Sequence, residues 1–459
     1  MNPPMNSAAA PEQAEELTAE AVSERCASVH PADAALLLSE LSVADAWEAL
    51  KGQLPEARVE IFSHLDVNIQ VALSETLSRE DLAGLLSEMS PDDRVDLIQR
   101  LPAERREVVL GAMARAERED IRKLAAYEPG SAGGAMTSDY VSLPPGVTAE
   151  EAIAKLRLEA PNRETIYYAY VVDGLRRLMG FVSLKDLILA APKTHVADIM
   201  NREVVSVKAT DDQEYAARRI QKYDLIALPV VSAEGALVGI ITHDDAMDII
   251  TQEQTEDIEK LMAIGGLHEP GMYLKTSSLS HFRNRVPWIV ALAALGLVSG
   301  FIVHKFQGLL LQFAILATFM PMLADTGGNT GSQSASLVVR ALALGEIRPG
   351  DVLRVLFKEF KVALPLGAVL AILAFLRVVL FTDATTFPDG FTPLAVGSAV
   401  SLALGMQVVT ATLIGATLPI LAAYFKKDPA IVASPAITTT VDITGLLMYF
   451  MTVKLILGV

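Results

Sequence analysis

Apolar residues are distributed along this chain in two regimes. Up to Arg285 no apolar run reaches the ~18 residues that mark a membrane helix. From Val286 such runs follow one another to the last residue. Within the first regime, residues 15–130 carry short stretches of helical period separated by polar breaks. "LPEARVEIFSHL", "LSREDLAGLLSEM", "MSPDDRVDLIQRL" and "LPAERREVVLGAM" are variants of one unit. Each puts Pro or Ser, then acidic residues, ahead of its apolar stripe. Ser90-Pro91-Asp92-Asp93 is the clearest such start, with Ser as cap, Pro in the first turn and carboxylates facing the helix dipole. No unit of this size buries its stripe alone, so the pattern predicts a solenoid-like, all-α domain over 15–130. A docking surface and a purely structural domain fit it equally well. Residues 1–14, small and Pro/Ala-rich, are expected to be disordered.

A second repeat follows. "MTSDYVSLPPGVTAEEAI" is echoed 64 residues later by "MNREVVSVKATDDQEYAA", and "YVVDGLRRLMGFVSLKDLI" by "PVVSAEGALVGIITHDDAM". Each unit predicts strand, helix, β-hairpin and helix, over 136–195 and 196–250, with Gly180 and Gly239 in matching places. Gly180 to Asp186 and Gly239 to Asp245 share a Gly-aliphatic-aliphatic-Ser/Thr-x-x-Asp ending. The pair resembles tandem cystathionine-β-synthase (CBS) domains, an α/β fold. The resemblance implies a cleft able to take an adenine nucleotide, with ATP as a regulator and Asp186 and Asp245 on the ribose.

The second regime predicts five spans near 286–303, 308–341, 362–382, 394–425 and 430–457, an all-α membrane domain over 283–459. An acidic amphipathic stretch over 251–280 connects it to the CBS pair. The second span is expected to be interrupted at Gly327-Gly328. Lys and Arg settle the orientation. With the N-terminus inside, ten lie on inner flanks, while only Lys305, Lys454 and Arg377 fall outside or near an outer helix end. The N-terminal domains are therefore expected in the cytosol and the C-terminus outside, in a plasma or inner membrane.

Charge sharpens this picture. The net charge is −17, yet the chain from Val286 onward is nearly neutral, and residues 1–285 hold 28 basic against 47 acidic residues. Such a surface excludes nucleic acid, which requires a basic one, and suits cations. One cysteine, Cys26, excludes an internal disulfide framework and any multi-Cys zinc site. Residues 1–24 carry five glutamates and no apolar core, so no cleavable signal peptide is expected. No Ser/His/Asp or Cys/His arrangement stands out, so an enzyme is not expected.

Two spans are too polar for lipid-facing helices. In the second, Asp325, Asn329 and Gln333 fall at i, i+4 and i+8 on one stripe. Gly327, Gly328 and Gly331 allow close approach, and local unwinding there is expected to free carbonyls. In the fifth, Ser434, Thr438 and Asp442 share a stripe, and Pro435 is expected to release a carbonyl. An ionised carboxylate at the depth of Asp442 is costly and is by default functional. Carboxylate, amide and hydroxyl oxygens with no His or Cys suit Mg²⁺, which takes oxygen ligands and gives up water reluctantly.

At this point the chain resembles, over nearly its whole length, the MgtE family of magnesium channels and transporters. The residues that carry the likeness are "YEPGSAGGAMTSDYV", Pro321 with Gly328-Asn329-x-Gly331-x-Gln333, and Asp428-Pro429-Ala430 with Asp442-Ile443-Thr444-Gly445. The resemblance implies a homodimer with the pore on its two-fold axis, lined by the second and fifth spans. It implies Asp442 as the central ion-binding carboxylate, with Asp428 in the same signature, and closure by high cytosolic Mg²⁺. Its sensing acids match Asp212, Glu214, Asp224, Asp245, Glu253, Glu256 and Asp257, with Asp92 or Asp93 from the N-domain. Asp325 stands where the family motif often has an apolar residue, adding a carboxylate per subunit if it lines the pore. Two other readings stay open: a carrier of Co²⁺ or Mn²⁺, and a membrane-anchored CBS sensor that conducts nothing.

Overall fold

The computed structural model describes residues 19–266, 273, 276–383, 387–431 and 434–459, with side chains at all of these except 162, 431 and 434. The expected disorder of 1–14 lies outside the described residues. The chain divides into two compact units, 1–250 and 251–459.

The first unit opens with short helices: α1 (Ala19–Cys26), α2 (Pro31–Leu38), α3 (Val43–Lys51), α4 (Pro55–Ser63), α5 (Val67–Thr76), α6 (Arg79–Glu88), α7 (Pro91–Arg100), α8 (Ala103–Ala112) and α9 (Arg115–Leu124). Their starts follow the expected chemistry. Pro31, Pro55 and Pro91 sit in first turns, where a missing N–H costs no helical bond. Ser42 and Ser78 cap through their side chains. Ser90 occupies the cap position of α7 but makes no side-chain bond to the backbone there, unlike the expectation.

The helix ends use a device that periodicity does not show. Arg58 donates to the carbonyls of Leu50, Lys51 and Gln53 at the end of α3. Arg94 does the same for Ser87 and Met89 after α6, and Arg106 for Gln99 and Leu101 after α7. In each case an arginine at the fourth residue of one helix satisfies orphan carbonyls at the end of the helix before it. Leu38, Leu50, Phe62, Leu73, Leu82 and Leu86 are then almost wholly buried, in a core that continues into the second CBS repeat through Ile220, Leu228 and Ile241.

The CBS repeats match element by element. Strands β1 (Val141–Leu143), β2 (Tyr168–Val172) and β3 (Leu178–Ser183) form one sheet, with α10 (Ala149–Glu159) and α11 (Leu184–Leu189) around it. After the short α12 (Val196–Ile199), strands β4 (Val207–Lys208), β5 (Ala227–Val231) and β6 (Leu237–Thr242) form the other, with α13 (Gln213–Tyr223) and α14 (His243–Leu261). In both, the first pair is parallel and the hairpin antiparallel, and the register shifts at the equivalent Val171/Val172 and Val230/Val231.

The repeats also exchange their leading segments. Met200-Asn201, ahead of the second repeat, lies against β3, where Asn201 bridges Phe181; Thr137, ahead of the first, bridges Ile240 on β6. This explains the matched glycines. A Cβ at Gly180 would stand 2.6 Å from the Asn201 carbonyl oxygen, and one at Gly239 2.8 Å from that of Thr137.

The second unit is helical: α15 (Ser278–Lys305), α16 (Gln307–Gln312), α17 (Ile315–Ala343), α18 (Val352–Phe381), α19 (Pro393–Tyr424) and α20 (Ser434–Leu457). Among the described residues four helices are long and apolar enough to cross a membrane: Ser278–Lys305, Pro349–Phe381, Pro393–Tyr424 and Pro435–Leu457. The remaining expected span, α17, has 29 residues, enough for ~43 Å at ~1.5 Å each, but its polar run keeps it below that apolarity. Of the most apolar window, 61% is buried in α19 and none in α15, so α19 is the central helix of the bundle.

Two expectations about this region are corrected. The chain breaks at Phe313-Ala314, between α16 and α17, and α17 runs unbroken through Gly327 and Gly328. Those glycines serve packing rather than unwinding: Gly331 and Gly415 bring α17 and α19 into backbone contact, leaving no space for a Cβ at Gly415. Pro435 is the second residue of α20, where no intrahelical N–H bond exists to lose, so it releases no carbonyl.

Replacing Gly239 by alanine forces a Cβ into the Met136 side chain and the Thr137 carbonyl oxygen. Overpacking of this kind costs ~1–3 kcal/mol. Thermal unfolding of the purified protein should shift the cytosolic transition down by several degrees. Gly84→Ala, where a Cβ meets nothing within 4 Å, should leave it in place.

Candidate functional site

Two groups of carboxylates stand out, one in each unit. In the first unit, Asp92 and Asp93 occupy the first turn of α7 and Asp245 the first turn of α14. Glu164 comes from the loop before β2, its N–H donating to the Asp139 carbonyl at 3.1 Å. Burial, then the neighbouring Asp93 charge, raises the Asp92 carboxyl to about 6. Asp93 is raised to about 6, mainly by burial, with Asp245 contributing. Burial and then Asp92 raise Asp245 to about 7. Burial followed by Asp92, Asp245, Asp244 and Asp93 takes Glu164 to about 7. The Oδ1 atom of Asp92 is buried without a hydrogen-bond partner among the described residues. The acids therefore repel one another through a partly dry space. Among the described residues no three carboxylate or His side chains converge closely enough to hold one metal ion. The group is thus a crowd of like charges with no preformed chelate.

The other cytosolic candidates make local contacts. Asp212 caps α13, accepting from the N–H groups of Glu214 and Tyr215. Glu214 pairs with Arg218, and Asp224 ends α13 in the left-handed conformation. Asp186 and Asp245, expected at a ribose, accept the hydroxyls of Ser183 and Thr242 three residues earlier. The shared Ser/Thr-x-x-Asp ending is therefore at least a helix-start device. Glu253, Glu256 and Asp257 lie on α14.

In the second unit, Lys260 of α14 donates to Glu256 at 2.7 Å and to Asp428 at 2.8 Å. Asp428 also accepts the Ala430 N–H at 2.8 Å in the turn before α20. Burial lowers the Lys260 pKa, but the bonds to Asp428 and Glu256 outweigh it and raise the ammonium above its ordinary range. One cation thus ties the connecting helix to the loop preceding α20. Asp428 sits in this latch and not on an intramembrane stripe.

Within the bundle, α17 packs on α20 through glycines. A Cβ at Gly328 would stand 2.8 Å from Thr438 Cγ2, and one at Gly327 2.9 Å from Val441. Thr438 also lies 3.4 Å from the Ser332 hydroxyl. Asn329 donates to Asp325 at 3.1 Å, and Asp325, Asn329 and Gln333 all face outward from the single chain. Asp442 follows Val441 on α20, and its Oδ1 is buried with no partner among the described residues. The side chain of Ser434 lies outside the described residues. The Thr hydroxyls are largely taken by their own helices: Thr326 donates to Met322, Thr330 to Thr326 and Thr444 to Thr440. The free oxygens are therefore carboxylate and amide.

These arrangements can now be set beside known proteins. The chain matches family models described as the intracellular N domain of MgtE at 29–130, CBS domains at 132–193 and 196–252, and a divalent cation transporter at 320–452. It is 40% identical over 445 residues to a magnesium transporter MgtE of Thermus thermophilus, covering 94% of this chain and 93% of that protein. The chain belongs to the MgtE family. A Bacillus subtilis member is 32% identical over 92% of this chain and 91% of its own length. A solved cytosolic domain of the Mg²⁺ channel MgtE in complex with ATP is 40% identical, covering 50% of this chain and 94% of that one, with a TM-score of 0.48.

Periodicity and motifs in this MgtE-family chain did not single out Glu164, Lys260 or Gln407. Glu164 lies in an irregular loop and Lys260 is one charge among many on α14. Gln407 is the one amide in a span whose other polar residues are Ser and Thr, and that was its one signal.

A carboxyl pushed upward binds a proton in the crowded arrangement that it loses when the domains part. Relative to the ordinary value near ~4, that arrangement is unopposed below about 4 and loses stability as pH rises through about 6 to 7. Without divalent cation, a dye pair spanning the N-domain and the CBS pair should report a shorter separation at pH 5.5 than at pH 8. Asp245→Asn should remove most of that difference.

Proposed function

We propose that this chain is a Mg²⁺-selective, channel-like transporter that admits Mg²⁺ across the membrane and is closed when cytosolic Mg²⁺ binds its acidic domains. The observation that carries the proposal is Asp442: a buried carboxylate oxygen with no partner among the described residues, within a membrane-spanning helix of an MgtE-family chain. Such a group is costly in the membrane unless a cation or proton meets it. Mg²⁺ needs one or two carboxylates, a few neutral oxygens and room for retained water. Asp442 supplies the first, with Asn329, Gln333, Asp325 and Thr438 as candidate donors on the two polar helices. A carrier, not an enzyme, is the role this chemistry serves.

The assembly we infer is a homodimer in the bilayer with the N-terminal domains cytosolic and the C-terminus outside. The stripe of Asp325, Asn329 and Gln333 is polar and faces away from the bundle of its own chain. Lipid is a poor neighbour for it; a water-filled pore shared with a second copy is a good one.

Closure follows from charge. Asp92, Asp93, Glu164 and Asp245 repel at low Mg²⁺ and are drawn together when the ion bridges them. Glu256 and Asp428 form a second candidate locus, held meanwhile by Lys260. Asp212, Glu214, Asp224, Glu253 and Asp257 are secondary candidates. ATP, bound by the solved relative, is proposed as a further regulator on the CBS pair, near Asp186 and Asp245.

Purified protein in dye-loaded proteoliposomes should take up Mg²⁺, and Asp442→Ala should abolish uptake while the protein remains folded. Co²⁺ should compete and Ca²⁺ should not. Uptake by Asp442→Ala equal to wild type would overturn the pore assignment and favour a non-conducting sensor. Preferential uptake of Co²⁺ or Mn²⁺ would reassign the cargo.

A further inference from the structure

Gln407 is the most buried polar side chain of the second unit, 1% exposed, and it lies midway along the central helix α19. Its amide is wedged between the two helices that carry the candidate ion ligands. On α17, a Cβ added at Gly327 would collide with Gln407 Nε2; on α20, one added at Gly445 would collide with both Oε1 and Nε2. Nε2 donates to the Leu323 carbonyl of α17 at 3.4 Å, and Oε1 is buried with no partner among the described residues. A buried carboxamide with an unmet oxygen is destabilising where apolar packing would serve. The other polar residues of α19 are Ser and Thr, and those whose bonds are seen donate to carbonyls of their own helix, so a buried carboxamide there needs a reason.

Position supplies one. Gly327 lies between Asp325 and Asn329 on α17, and Gly445 is one turn beyond Asp442 on α20. The carboxamide therefore touches both ligand helices at the level of the ligands. We propose that Gln407 is a positioning residue for ion conduction: its side chain spaces α17 and α20 and so sets where Asn329 and Asp442 stand relative to each other. The glycines are its counterpart, since any side chain at 327 or 445 would displace it. Mg²⁺ demands near-ideal geometry at short distances, whereas Ca²⁺ tolerates a looser site. Helix spacing is thus a selectivity variable, and sites of this kind need placement within ~0.5 Å.

This inference rests on the proposed transport function, and the test separates the two. Wild type, Gln407→Ala, Gln407→Met, Gly445→Ala and the double variant Gln407→Ala/Gly445→Ala are reconstituted, and folded protein is quantified by monodisperse elution and thermal unfolding. Mg²⁺ uptake is then measured over a concentration series with Ca²⁺ as competitor. Failure of wild type to take up Mg²⁺ would sink the function itself. With wild type active, Gln407→Ala should lose at least about tenfold of its uptake per folded protein and admit Ca²⁺. Gly445→Ala should do likewise, and the double variant should recover part of the loss because the new methyl fills vacated space. Gln407→Met, which keeps the volume, should retain Mg²⁺ preference better than Gln407→Ala; it also serves if the alanine variant does not fold. Wild-type rate and selectivity in both Gln407 variants, or losses that simply add in the double variant, would overturn the proposal.

Discussion

Negative charge without a fixed counter-ion is the constraint on which the structure turns. Carboxylates are held where water screens them poorly, several between the N-domain and the CBS pair and one, Asp442, inside a membrane helix. In each, a buried oxygen goes without a hydrogen-bond partner among the described residues, Asp92 Oδ1 in the first and Asp442 Oδ1 in the second. Like charges in a medium of reduced dielectric repel by several kcal/mol at ~4 Å in the limiting estimates. A buried carboxylate oxygen left without a partner is costly until a cation or a proton meets it.

The scaffold works to hold these charges in place. Arg58, Arg94 and Arg106 clamp the helix ends of the N-domain, and Arg94 does so on the helix that presents Asp92 and Asp93. The exchanged leading segments of the CBS repeats bind the two sheets into one body around Asp245 and Glu164. In the membrane unit, glycines bring α17, α19 and α20 close, and the Gln407 carboxamide lies against Gly327 and Gly445. Lys260 differs in kind. It is a resident cation between Glu256 and Asp428, and it occupies a place that a divalent ion would have to share or take.

Much of this was legible in the sequence, and the parts that were share a cause. The CBS repeat was readable because strand and helix periods recur with matched glycines, and the N-domain because Pro, Ser and acid mark each helix start. Asp442 drew notice because a carboxylate in a span has few innocent explanations, and the structure leaves its Oδ1 buried without a partner among the described residues. What escaped depended on long-range contact. The continuity of α17 through Gly327 and Gly328 follows from Val441, Thr438 and Gln407 packing on those glycines, which local propensity does not encode. Glu164 gains its significance only from Asp92 and Asp245, far away in sequence. Lys260 acquires its role from Asp428, 168 residues later. Asp186 and Asp245 illustrate the converse: a motif taken for a ligand contact also caps its own helix.

The central claim is that cytosolic Mg²⁺ closes the pore by compensating the carboxylates around Asp92, Glu164 and Asp245. It is tested most directly by recording Mg²⁺ current from inside-out patches while cytosolic Mg²⁺ is raised. Wild type is compared with the variant Asp92→Asn/Glu164→Gln/Asp245→Asn. The account predicts a wild-type current that falls as cytosolic Mg²⁺ rises, and a variant whose current no longer responds. An undiminished response in the variant would contradict it.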